Sequence, residues 1–334
     1  MNLDEEALHG GPDARGPVPH DFSTNANACG SCPMAAQALA QADASRYPDP
    51  RYTALRASLG GFHGVDAERI VIAASASEFI ARITAAVARQ GGRSVWLPRH
   101  AYGDYQRAAA AWGLDVRREP EAPTGNALVW CCDPSSPLGE SQQGLAALMD
   151  ALEPSSHCVL DLAYEPLRLE GRLELGTAQR DRAWQLWTPN KALGLTGVRA
   201  AYAIAPRDAA GMVRCLDQLA PSWPLGAHGV ALLEAWTLAQ TQGWLAASLD
   251  QLRAWKREQQ ALCTALGWSV MPSVANYFCA RPDVPDAPRS AALRKAGVQV
   301  RDAHSFGLSG HVRLAVLPPA SQAALARAWQ AARI

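Results

Sequence analysis

The chain has 334 residues, of which 49% are hydrophobic and 19% charged, and its formal net charge is zero. That length accommodates a large core plus a smaller second domain, in an ordinary globular composition. With no basic block, neither nucleic acid nor an anionic membrane surface is an expected partner.

No apolar run approaches the length of a membrane span, and the acidic start Met1-Asn-Leu-Asp-Glu-Glu is unlike a targeting peptide, so the expected location is cytoplasmic. Residues 1–45, rich in Gly, Pro, Asn and Ala, predict an irregular arm with a short helix around 34–42. From Tyr52 a helical pattern begins, and short apolar runs then alternate with amphipathic stretches. Strands are expected at 70–73, 94–97, 128–132, 158–161, 183–187 and 200–204, with helices near 77–89, 102–112 and 143–152. Such alternation implies crossover connections and a mostly parallel sheet, whose ligands gather beyond the carboxyl ends of the strands. A long helical region, 206–266, is broken at Pro221-Ser-Trp-Pro224. After it come a strand at 276–280, a helix at 290–296, strands at 299–301 and 311–315, and a helix at 319–332. The expected division is an arm (1–45) joining a small α+β domain (266–334), with a large domain (46–265) between.

The eight cysteines are scattered. Cys29-Gly-Ser-Cys32 has the spacing of a redox or zinc half-site, but no second Cys or His pair accompanies it, so free thiols and no metal are expected. After the strand at 70–73, Ser75-Ala76-Ser77-Glu78 opens a helix whose free N–H groups suit a phosphate, and Ser77 suits a plain N-cap equally well. Tyr102 follows the next strand and either stacks on a planar ligand or packs. Asp133-Pro-Ser-Ser136-Pro-Leu-Gly139 is a turn dense in Pro and Gly. Asp161 puts a carboxylate at the mouth of an apolar strand, where it needs a partner: a protonated ring nitrogen or an internal arginine.

Lys191 is the most informative residue. Only three of the 31 Lys and Arg residues are lysines, and Lys256 and Lys295 stand in charged segments that read as solvated. Lys191 instead follows an apolar strand and precedes a Gly-rich tract, with Arg199 eight residues on. A lysine in a partly desolvated pocket can lose its proton and form a Schiff base, which arginine cannot do. Lys191, Arg199 and the late-strand Arg313 each suit an isolated salt bridge, but together with Asp161 they can supply a ring-nitrogen counter-ion, an amine, a phosphate-binding cation and a carboxylate-binding cation. Those are the requirements of a pyridoxal-phosphate enzyme.

On these residues the chain resembles fold-type I pyridoxal-phosphate enzymes of the class I/II aminotransferase superfamily, in the branch of histidinol-phosphate aminotransferases and threonine-phosphate decarboxylases. The resemblance runs from His9-Gly-Gly and Asp21-Phe-Ser-Thr-Asn25-Ala-Asn27, through Arg46-Tyr47-Pro-Asp-Pro50, to Val312-Arg313-Leu. It implies an α/β fold with a mostly parallel central sheet flanked by helices, a small α+β domain, pyridoxal 5'-phosphate as cofactor, and a homodimer. It further implies that Lys191 carries the cofactor and moves the substrate proton, that Asp161 pairs with the ring nitrogen, and that Tyr164 bonds the phenolic oxygen. Tyr102 would stack on the ring; Ala76, Ser77, Thr188 and Arg199 would hold the phosphate, joined by Tyr47 from the other subunit. Arg313 would grip the substrate carboxylate, Arg301 would meet a distal phosphate, and Asn25 and Asn27 would lie near the substrate.

Two departures stand out. Ser136 occupies the place of a family Asn that bonds the phenolic oxygen, and Asn190 precedes the lysine where Ser or Thr is usual. The implied reaction is transamination between an amino acid or amino-alcohol phosphate and a 2-oxo acid. Decarboxylation of threonine phosphate is the alternative, towards which the His-Gly-Gly and Asp-Phe-Ser-x-Asn openings lean. A non-catalytic cofactor-binding domain is the remaining one, which the Ser136 departure allows.

Overall fold

The computed structural model describes residues 10–11, 14–283 and 287–332; His9 of the His-Gly-Gly opening lies outside them. Seven strands build the central sheet: β1 (Ile70–Ala73), β2 (Ser94–Leu97), β3 (Asp115–Arg118), β4 (Ala127–Cys132), β5 (His157–Asp161), β6 (Trp184–Trp187) and β7 (Ala201–Ile204). Their spatial order is β1-β7-β6-β5-β4-β2-β3, and β7 runs antiparallel to both neighbours while the other pairs are parallel. The result is an α/β fold with a mostly parallel sheet.

Alternate residues of β1 and β7 serve opposite faces: Ile70, Ile72, Tyr202 and Ile204 enter one core, and Val71, Ala73, Ala201 and Ala203 another. Both faces are therefore covered, and continuous apolar runs mark the strands. The helix Ala76–Arg89 buries Phe79, Ile80, Ile83, Ala86 and Val87, a stripe at three- and four-residue spacing. β3 carries no apolar run. Its burial alternates, as befits a charged edge strand, and sequence periodicity passes over it.

A second sheet pairs Arg301–Asp302, Val312–Ala315, Tyr277–Arg281 and Ser269–Val270 in that order, all antiparallel. The arm joins this region through His20–Asp21, which pairs in parallel with Val298–Gln299. The strand expected at 299–301 is thus two short strands that part at Val300, each serving a different sheet.

The long helical region is three helices, Ala210–Leu219, Ala227–Trp236 and Ala239–Ala265. The last corrects the reading of Lys256, which is 2% exposed rather than solvated. It lies on a buried stripe with Leu252, Gln259 and Cys263, and its ammonium donates to the Ser273 carbonyl and to Glu170 Oε1. Among the described residues no helix is long and apolar enough to cross a membrane.

Candidate functional site

A cavity of about 570 Å³ opens at the carboxyl ends of the parallel strands. Ser75, Ala76 and Ser77 reach it from the turn after β1, Tyr102 from beyond β2, Cys132 and Ser136 from β4, Asp161 and Tyr164 from β5, and Thr188 and Lys191 from beyond β6. Because β7 is reversed, the residues before it lie at this same edge. That brings Arg199 into the wall. Asn25 and Arg313 close the opposite side.

Asp161 is buried at the inner end of the cavity. Its Oδ2 accepts from the Tyr105 hydroxyl at 2.6 Å and its Oδ1 from the Ala163 N–H at 2.9 Å. Burial pushes its carboxyl up, while the Tyr105 and Ala163 hydrogen bonds and the Lys191 charge pull it down. The Lys191 ammonium approaches Thr188 Oγ1 at 3.5 Å and stands 5.3 Å from the Tyr164 ring centre. Tyr164 in turn accepts from Asn25 Nδ2 at 3.4 Å.

The loop bearing Lys191 is pinned from outside. The Asn27 N–H donates to the Lys191 carbonyl and the Cys32 N–H to the Leu193 carbonyl, both at 2.9 Å. Gly194 has φ +65°, and a Cβ there would strike the Gly30 carbonyl, so the close approach demands glycine.

Helix Ala76–Arg89 presents its N-terminus to the cavity. Ser75, not Ser77, is the N-cap, its Oγ accepting from the Glu78 N–H at 3.1 Å. The first N–H groups of a helix lack intrahelical partners, and the dipole favours an anion there. Arg199 stands exposed on the same side without a carboxylate partner among the described residues.

Across the cavity Arg313 is buried, with its guanidinium 5.6 Å from the Tyr277 ring centre and 5.5 Å from that of Phe306. Its hydrogen bond goes to the Ser23 carbonyl at 3.2 Å, and its Nε is unpaired. No carboxylate among the described residues neutralises it. Asn25 Oδ1 and Asn190 Oδ1 are buried and unpaired as well. A pocket with two uncompensated cations, orphaned polar atoms, an amine and a buried carboxylate is built for a ligand that is not part of the chain. A planar pyridinium aldehyde carrying a phosphate fits that donor set.

Three anticipated residues lie elsewhere. Asn27 turns away from the cavity, because its amide donates to the Ala192 carbonyl at 3.0 Å and to Ser248 Oγ at 2.7 Å. Arg301 is buried beyond Phe306, 5.3 Å from its ring centre, and donates to Ser305 Oγ at 2.8 Å. Tyr47 is 78% exposed and stacks on Trp223 at 4.3 Å, outside the cavity of its own chain. Phe306 and Tyr105 were not anticipated. Phe306 lies in a short turn after the strand Arg301–Asp302 and carries no motif, whereas Tyr105 sits one helical turn after Tyr102, a spacing that places both on one face.

The sequence model of the family "Aminotransferase class I and II" matches residues 19–331. Among curated relatives, the histidinol-phosphate aminotransferase of Hyphomonas neptunium is 28% identical, over 92% of this chain and 88% of its own. Histidinol-phosphate aminotransferase 2 of Caulobacter vibrioides is 29% identical, over 93% and 85%. Among solved structures, the histidinol-phosphate aminotransferase of Sinorhizobium meliloti in complex with pyridoxal-5'-phosphate superposes with a TM-score of 0.80 at 19% identity, covering 99% of both chains. The L-threonine-O-3-phosphate decarboxylase of Porphyromonas gingivalis gives 0.80 at 22% identity, covering 93% and 98%. Matched by the family model over nearly its whole length, the chain belongs to the class I and II aminotransferases.

Proposed function

We propose that the protein is a pyridoxal-phosphate-dependent aminotransferase, similar to histidinol-phosphate aminotransferases, that acts in the cytoplasm as a homodimer. Its substrates would be an amino acid or amino-alcohol phosphate as donor and a 2-oxo acid as acceptor. The observation that carries the reading is Lys191, an amine in the wall of the cavity that also holds the buried Asp161 carboxylate and the Arg313 guanidinium, which no carboxylate among the described residues neutralises. Pyridoxal phosphate, when bound, supplies a carbonyl that condenses with an amine and a ring that takes up the electron pair released at the substrate α-carbon.

The chain's residues do the rest. Asp161 would keep a proton on the ring nitrogen and Tyr164 would donate to the phenolic oxygen, with Ser136, in the same cavity lining, at the place of the usual amide and reaching that oxygen, if at all, through water. The Ser75–Ser77 turn, Thr188 and Arg199 bind the phosphate, aided by Tyr47 of a second copy. Arg313 binds the substrate carboxylate with its fork, and Lys191 moves the proton at the α-carbon.

Decarboxylation of threonine phosphate is the second reading. It is favoured by the presence of Gly10, Gly11, Ser23, Thr24 and Asn25 in the cavity lining, which draws the decarboxylase-like opening of the chain towards the substrate. Incubating the holoenzyme with histidinol phosphate, threonine phosphate and aromatic amino acids separates the readings. Conversion of the cofactor absorbance to that of the pyridoxamine form, with transfer to a 2-oxo acid, is the expected result. Carbon dioxide released from threonine phosphate without that conversion would establish the decarboxylase. No response from a cofactor-loaded protein would leave a binding domain. Lys191→Ala is expected to abolish turnover and leave the circular dichroism spectrum unchanged; retained turnover would remove the lysine from the mechanism.

A further inference from the structure

Among the described residues the Asp161 carboxylate has a single side-chain donor, the Tyr105 hydroxyl at 2.6 Å from Oδ2. Tyr105 is 0% exposed and does not line the cavity, so it cannot touch a substrate. Its ring is fixed on two sides. It stacks on Trp130 of β4 with centroids 4.2 Å apart and planes 9° from parallel, and it meets Tyr102 in an edge contact at 5.7 Å and 82°. Tyr105 therefore touches both Asp161 and Tyr102, which flank the place of a planar ring from its nitrogen end and from its face.

The chemistry of the contact has a direction. A carboxylate removed from water drifts towards the neutral form, and a neutral Asp161 cannot hold a proton on a ring nitrogen. A charge-assisted hydrogen bond from a phenol opposes that drift and fixes the plane of the carboxylate, leaving its remaining lone pairs aimed at the cavity. The phenol stays a donor, because burial and the neighbouring Asp161 charge both push its own ionisation well above the ordinary range.

We propose that Tyr105 is a positioning residue for the cofactor ring, acting through Asp161 by holding its carboxylate ionised and oriented, and bracing Tyr102 against the ring face. The proposal rests on the reading of Asp161 as the ring-nitrogen partner. Tyr105→Phe preserves the ring and the Trp130 stack and deletes only the donor. The affinity of the protein for pyridoxal phosphate is to be measured, from cofactor absorbance, in the wild type, Tyr105→Phe, Asp161→Asn and the double variant. The same measurement with the 1-deaza analogue, whose ring nitrogen is replaced by carbon, and thermal melts of each protein accompany it.

Tyr105→Phe is expected to weaken pyridoxal phosphate on the order of tenfold, the scale of one hydrogen bond to a charged group. Binding of the deaza analogue is expected to stay unchanged, and the loss to vanish in the Asp161→Asn background. A lowered melting temperature with unchanged cofactor affinity, or equal weakening of cofactor and analogue, would overturn the proposal and leave Tyr105 a packing residue. If Asp161→Asn itself binds the cofactor as the wild type does, the reading of Asp161 fails and takes the proposal with it. Should Tyr105→Phe not fold, 3-fluorotyrosine at position 105 offers a stronger donor of nearly the same shape. Cofactor affinity is then expected to rise severalfold, and no change in it would count against the proposal.

Discussion

Arg313 shows how a single residue trades stability for binding. Its guanidinium is buried between two aromatic rings, bonded to one backbone carbonyl and faced by no carboxylate among the described residues. A buried cation without a counter-charge costs folding free energy, which an anionic ligand repays on binding. Arg313→Met is therefore expected to raise the melting temperature while lowering kcat/KM for carboxylate substrates on the order of 100-fold, chiefly through KM. Paired melts and steady-state kinetics check this; a variant that is both less stable and unimpaired would show that the arginine serves packing. The sequence made Arg313 legible as a cation in a late strand, since a charge amid apolar residues asks for a partner. It did not reveal the Tyr277 and Phe306 faces that hold it, because those contacts join residues whose order in the chain carries no sign of their meeting.

At the scale of elements, the helix Ala239–Ala265 carries a different kind of buried charge. Its inward stripe includes Lys256 and Gln259, and Gln259 bonds the Ala315 carbonyl at 2.8 Å and the Leu317 N–H at 2.9 Å. These polar residues supply hydrogen-bond partners to the backbone at 273, at the strand end Ala315 and in the irregular segment after it. Trp-Lys-Arg-Glu-Gln-Gln reads as a solvated face only because composition is blind to which carbonyls lie opposite. Lys256→Ala leaves the Ser273 carbonyl without its lysine donor and opens a cavity, so a loss of roughly 2–4 kcal/mol is expected from chemical denaturation. Burial lowers the Lys256 ionisation below its ordinary 10.5. Between the lowered folded value and 10.5 the unfolded chain binds more protons. Wild-type stability should therefore gain from this group as pH rises through that window, and lose it as pH falls through the folded value. The variant's stability-against-pH curve should lack that rise relative to the wild type; parallel curves would show that the amine titrates normally. The strands and helices of the central sheet were legible because each is an apolar run or a stripe of helical period. β3 was not, being charged and on an edge where its burial only alternates.

For the whole molecule, Tyr47 is the residue that a single chain leaves without a task. It stacks on Trp223 with 78% of its surface exposed. If it completes the phosphate site of a second copy, mixing Lys191→Ala with Tyr47→Ala subunits yields one dead and one intact site per mixed dimer. Two impaired variants should then regain activity on exchange, and failure to do so in dimers shown to have mixed would place Tyr47 outside the site. No periodicity signals such a contact, and only the resemblance of the Tyr-Pro-Asp-Pro box suggested it. The pinning of the Lys191 loop by the arm has a further effect, on the order in which a growing chain acquires its function. Asn27 waits for Ser248, His20 for Val298, and the Ser23 carbonyl for Arg313. Residues 20–27 thus find these seats only after residues 248–313 have been made, and contacts so distant in sequence form slowly. The arm can meet the Lys191 loop as soon as residue 193 is made, but its own anchors come later, so the pocket is expected to become rigid only after residues 248–313 have folded onto the arm.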